Sequence, residues 1–465
     1  MKKRVAIPAF GAILLVAVGA AAALYFGNRR EVTTSSDAAY QVYRDALDNE
    51  RKFYFREARE GYAKALEADP QFVEAILGLA RLSEREQALS LTRRAAKQAG
   101  RLTDRERFHV DMQLAGMENR QEDWLRLARV GHEKYPDDIR AAMVLCEHET
   151  ETGHPERALE IFSEVLAREP NNAQAYNNMG YFYGYRGEYD KAIENFRKYQ
   201  FMAPDQANPF DSLGEIQAYS GHYDEAIENL NHALKLKPDF FESYGHLGVA
   251  YEGKGDYEKA IGYYEKAAED ALTTSRTRDF LIQALRASVT AQDLPNGRRL
   301  AAKVEALPKD PKDPYAAIRE RFLKAVFAYE EGRCAEAREI LLELRPKMEA
   351  AFQASVKGAP VKYYEPGWNY LMVRSLIALG DRDAAIPYLE EMASPPRPFA
   401  KFDERRWVYE GRALLAEQLA RKGDLDRAEK LLAENRKWNP SWAPTRGSEQ
   451  VVAQLRREKV LAASK

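Results

Sequence analysis

The side chains most able to do chemistry are few and scattered. Seven histidines occur in 465 residues, all between positions 109 and 246. His148 and His154 are six apart and flank a predicted turn, while His154 and His222 hold equivalent turn positions. None is spaced to place two metal ligands on one helix face, and the acidic run Glu147, Glu149 and Glu151 reads as a solvated helix surface. Cys146 and Cys334 are too distant in sequence to staple the chain and read as small buried residues. No nucleophile elbow, phosphate-binding loop or dinucleotide glycine fingerprint is present. The expectation is a chain that is not an enzyme and needs no cofactor or metal. The alternative is an unrecognised site in an inserted stretch near Lys362 to Trp368. With 70 basic and 72 acidic residues the net charge is −2, which gives no global attraction to nucleic acid.

The residues that do recur are structural. Gly153, Gly187, Gly221 and Gly255 stand 34 apart. Five residues after each comes Ala158, Ala192, Ala226 or Ala260, and four further on Phe162, Phe196, Leu230 or Tyr264. Gly180, Gly214 and Gly248 precede three of the turn glycines by seven, and Pro136, Pro170, Pro204 and Pro238 keep the same beat. Such a period predicts two helices per unit. A glycine turns the corner, small residues let the helices approach, and a large one packs into the next unit. No unit buries its apolar face alone, so the units must stack.

These residues resemble the tetratricopeptide repeat family. Gly180, Tyr183, Gly187, Tyr189, Ala192, Phe196 and Pro204 fill its signature places, and Gly248, Tyr251, Gly255, Tyr257, Ala260, Tyr264 and Ala267 fill them again. The best units are 139–172, 173–206, 207–240 and 241–274. The implied fold is all-α, a right-handed α-α superhelical solenoid. Flanking units are weaker: one lacks about four residues around Leu82 to Gln87, and in another Trp124 replaces the small alanine. Gly332, Gly380 and Gly423 resume the pattern, but their 48- and 43-residue spacings imply insertions near Lys347 to Pro366 and Ser394 to Arg406. The expected organisation is an array over 39–310, degenerate units over 311–445 and a capping helix and tail over 446–465. The helix-breaking stretch Pro308 to Pro314 is the best internal boundary.

In that family the first helix of each unit lines a concave groove that holds a protein or extended peptide. The resemblance therefore nominates Asn177, Asn178, Tyr181, Tyr185, Asp211, Ser212, Glu215, Tyr219 and His246 as partner-binding residues, with Glu147, Glu151 and Glu242 adding acidity. The groove lacks the lysine and arginine pattern by which chaperone-binding relatives clamp a terminal carboxylate, so a neutral to basic partner segment is expected. The bland alternative is that these are merely solvated helix positions.

Residues 5–26 form an apolar run between Lys2, Lys3, Arg4 and Arg29, Arg30. Twenty-two helical residues span about 33 Å, so the run predicts a transmembrane anchor after a cytoplasmic tail (1–4), followed by a linker (27–38). A cleaved signal peptide is the competing reading. The chain looks like bacterial tetratricopeptide proteins, and the expected location is a bacterial inner membrane, single-pass, with the repeats facing the periplasm. The expected function is a membrane-anchored scaffold or adaptor for protein–protein interaction. The alternative is an extracytoplasmic sensor of a peptide or small ligand.

Overall fold

The 34-residue beat becomes helix pairs in the computed structural model, which describes residues 32–136, 138–308, 316–355, 366–394 and 402–463. Twenty-three α-helices and one short 3-10 turn occur among the described residues, and no strand. The chain divides into two compact units at Tyr135–Pro136.

The first unit holds three pairs: α1 (Asp37–Arg51) with α2 (Phe55–Ala68), α3 (Val73–Arg81) with α4 (Arg85–Ala96), and α5 (Asp104–Met117) with α6 (Gln121–Lys134). Ala39, Tyr43, Ala46, Ala58, Tyr62, Ala65 and Phe72 make one core cluster. The missing residues around Leu82 show as a nine-residue α3. Trp124, standing where an alanine is usual, lies against Gly116: a Cβ added there would be 3.2 Å from the indole nitrogen. Thr103 and Glu106 close a reciprocal capping box on α5, which satisfies two orphan amide donors.

The second unit begins with α7 (Ile139–Glu151) and α8 (Pro155–Arg168), then α9 (Ala173–Tyr185) and α10 (Tyr189–Met202), and α11 (Ala207–Ser220) and α12 (Tyr223–Leu236). It continues with α13 (Phe241–Lys254) and α14 (Tyr257–Asp270), α15 (Thr274–Ala291) and α16 (Leu294–Ala306), and α17 (Ala316–Glu330) and α18 (Cys334–Ser355). It ends with α19 (Pro366–Ala378) and α20 (Arg382–Ala393), α21 (Phe402–Arg421) and α22 (Leu425–Trp438), and α23 (Ala443–Ala463). Part of the first expected insertion is helical, since α18 runs 22 residues through Pro346. Part of the second lengthens α21, which has 20 residues and opens at Phe402.

The glycine beat sets the turns. Gly153, Gly187, Gly221, Gly255, Gly332, Gly380 and Gly423 all have φ between +77° and +89°, where a side chain is costly. Three weaker units turn the equivalent corner without glycine, at Phe53, Asn119 and Gln292 with φ of +55° to +62°. Both cysteines are buried and free.

The expected location requires correction. No helix among the described residues is long and apolar enough to cross a membrane. The run 5–26 lies outside the described residues, as do Pro311 and Pro314 of the expected boundary. A single-pass inner-membrane placement with the repeats facing the periplasm therefore has no support in the fold and is withdrawn.

Candidate functional site

The first helices of three consecutive units, α9, α11 and α13, present the nominated residues side by side. The 34-residue register brings positions from neighbouring helices into contact. The Tyr181 hydroxyl donates to Glu215 Oε2 at 2.8 Å and lies 3.2 Å from Ser212 Oγ. Ser212 donates to Asn177 Oδ1 at 3.1 Å. Asp211 Oδ1 accepts from Ser243 at 2.7 Å and from His246 Nδ1 at 2.9 Å. His246 Nε2 lies 3.4 Å from Glu215 Oε1. One polar network thus ties three units together.

Burial shapes its electrostatics. For His246, burial alone would lower the pKa, but the carboxylates of Asp211 and Glu215 outweigh it and hold the imidazole protonated, well above its ordinary value. Burial, then Glu215 and Asp211, pushes the Tyr181 phenol up and keeps it neutral. Glu242 is paired with Arg276. The strip therefore carries three carboxylates (Asp211, Glu215, Glu242) against two cations (His246, Arg276) and is less acidic than its sequence suggests.

The nominated residues fall into two sets. Asn177, Asp211, Ser212 and Tyr219 are buried, at 2%, 2%, 0% and 7% exposure. Asn178, Tyr181, Tyr185, Glu215 and His246 keep partial solvent access. The Asn178 side-chain nitrogen is buried and meets no hydrogen-bond acceptor among the described residues. It holds the register place that Ser212 and His246 fill in the next two units, where both are bonded. Among the described residues no group of histidine, cysteine or acidic side chains could hold a metal.

Sequence reasoning missed the residues that cover one end of this strip. Phe402, at the start of α21, stacks on Tyr219 with ring centroids 4.7 Å apart and lies 4.9 Å from Tyr185. The Arg405 guanidinium donates to the Tyr185 carbonyl and sits 5.0 Å over the Trp438 ring. Arg406 reaches Glu252, 3.3 Å away, which also takes a two-pronged pair from Arg286 at 2.5 and 2.6 Å. Asn439 donates to the Tyr219 carbonyl and accepts from the Tyr223 hydroxyl, both at 3.1 Å. The end of the second unit thus folds back onto its middle. The only advance signal was the nine-residue excess between Gly380 and Gly423.

Three repeat profiles match within the second unit: "Tetratricopeptide repeat" over 161–194 and again over 243–276, and "TPR repeat" over 214–255. No curated protein matches the chain in sequence. Among solved structures the chain is similar to the APC/C hetero-tetramer Cut9–Hcn1, with 15% identity, 89% of this chain and 76% of that chain covered, and a TM-score of 0.46. It is also similar to a tetratricopeptide repeat protein from Parabacteroides merdae, with 14% identity, 64% and 100% covered, and a TM-score of 0.37. Pseudomonas aeruginosa pilF gives 18% identity, 43% and 90% covered, and a TM-score of 0.33. Repeats of this kind generally mediate protein–protein interaction. Residues 161–194 and 214–276 thus carry the tetratricopeptide repeat pattern.

Proposed function

We propose that the chain is a protein-interaction scaffold with no catalytic role, and that a partner segment lies along the strip on α9, α11 and α13. Asn178, Tyr181, Glu215 and His246 make the contact. Asn177, Asp211, Ser212 and Tyr219 support it from beneath through their cross-unit hydrogen bonds and packing. The observation that carries this reading is the Asn178 amide, a donor without a partner among the described residues, beside the bonded pair Asn177 and Ser212. A buried donor in that state costs about 1–3 kcal/mol, which a carbonyl of a bound chain relieves. With one carboxylate in excess over the cations, the strip suits a neutral to weakly basic segment.

Cross-linking of the full chain in its native host, read by mass spectrometry, tests the assignment. The N178A/Y181A variant is expected to lose the partner that wild type captures. Capture at the wild-type level by a folded variant would overturn the assignment.

A further inference from the structure

We propose that the start of α21 is a built-in occupant of the inner face of α9 and α11, and that a protein segment with an aromatic side chain followed by arginines three and four residues later competes for the same place. The inference rests on the protein-binding role proposed for that face.

The seat is shaped for an aromatic ring. Phe402 is 3% exposed and has Tyr185 and Tyr219 against it and Tyr181 at 6.4 Å. It fits because residue 184 is glycine: a Cβ there would come within 2.8 Å of the ring.

The arginines supply direction. Phe402, Arg405 and Arg406 are spaced i, i+3 and i+4, which sets them on one face of a helix. Tyr185 is the last residue of α9, so its carbonyl is among the helix-end acceptors that lack an intrahelical donor. A guanidinium placed there satisfies the carbonyl and the negative end of the helix dipole together. The next residue, Arg406, meets the buried carboxylate of Glu252. A helix carrying this triad docks in a single orientation.

Two features set the contact apart from ordinary repeat stacking. First, its key residues are surplus. A unit needs 34 residues, the Gly380–Gly423 interval has 43, and Phe402 to Arg406 fall within the lengthened start of α21. Second, the aromatic seat is flanked by polar groups that are incompletely satisfied. The fold-back is held by Tyr189 with Tyr409, by Asn439 with Tyr223, and by Arg406 with Glu252. The Nε of Arg405 is buried without an acceptor among the described residues. Polar, imperfectly satisfied surfaces of this kind resemble separable interfaces more than a permanent core. While Phe402 is seated, Tyr185 and Tyr219 are withheld from any other chain.

The test uses the full chain and a labelled peptide with the sequence of residues 402–414, read by fluorescence anisotropy. F402A/R405A is expected to bind the peptide at least about tenfold tighter than wild type. Adding Y185A/Y219A should abolish that gain, and amides of α9 and α11 should exchange faster in F402A/R405A than in wild type. Equal peptide affinity for F402A/R405A and wild type, with unchanged helical circular dichroism, overturns the proposal. If F402A/R405A loses helical signal, F402L replaces it. That variant keeps apolar bulk but loses the ring stack, and the same two outcomes decide. Neither readout involves the native partner, so a failure here leaves the Asn178 assignment to its own test.

Discussion

Tyr189 and Tyr409, 220 residues apart, share a hydrogen bond between their hydroxyls at 3.1 Å in the buried interior of the second unit. Nearest-neighbour stacking alone would never bring them together, because each unit of such an array touches only the units beside it. Around them the tight-turn glycines have taken a second task. A Cβ on Gly187 would overlap the Trp438 ring, and one on Gly221 would sit 2.5 Å from Asn439 Oδ1. The fold-back thus lands on turns that carry no side chain.

That double role predicts unequal costs for equal substitutions. Gly153 and Gly187 both have positive φ, +88° and +77°, but nothing lies within 4 Å of a Cβ on Gly153. Gly153→Ala is expected to cost about 1 kcal/mol from backbone strain alone. Gly187→Ala adds the collision with Trp438 and is expected to cost about 2–4 kcal/mol. Urea titrations of the two variants check the difference.

The reverse change should help where a unit turns without glycine. Gln292 ends α15 at φ +58°. Gln292→Gly is expected to raise stability by up to about 1 kcal/mol, read as an upward shift of the denaturation midpoint.

The glycine–alanine–aromatic beat was legible because each repeat solves the same local packing problem, so Gly180, Ala192 and Phe196 recur with their spacing intact. The nominated strip was legible as a set, since one register places Asn178, Ser212 and His246 in line. Its character was not. A polar residue at that register reads alike whether it faces water or a neighbour's side chain, and Asp211 and Ser212 proved to be buried bonding partners. Phe402, Arg405 and Asn439 carry no periodic mark, and their partners on α9 and α11 lie more than 180 residues away.

Glu252 is the charged centre of the fold-back, 1% exposed between Arg286 and Arg406. Burial raises its pKa, but the two guanidiniums outweigh burial and hold it below the usual carboxylate range. A folded-state pKa below the unfolded one gives stability that is present above the unfolded value and lost as pH falls through the folded value. Glu252→Ala removes that dependence and takes the carboxylate from the buried Arg406 and the partly buried Arg286. The expected loss is about 3–5 kcal/mol at neutral pH, shrinking in acid. Denaturation midpoints across acidic pH check both parts.

His246 runs the opposite way. Its folded pKa is raised, so its stabilisation is complete below its unfolded value of about 6.5 and is lost as pH rises through the folded value. Wild type is expected to lose stability over that upper range, and His246→Asn to show a flatter profile with lower stability at pH 6. Titration of the His246 ring by NMR gives the direct reading, and an ordinary midpoint near 6.5 contradicts it.

The fold-back itself is tested most directly by one distance. Spin labels at the exposed positions 191 and 437, in a C146A/C334A background, flank the contact between Tyr189 and Trp438, whose ring centroids are 6.1 Å apart. Double electron–electron resonance is expected to give a single narrow distribution under about 30 Å. Twelve helix steps at about 9 Å each separate α10 from α22 in an unclosed stack, so a distribution centred on the order of 60–100 Å would contradict the account.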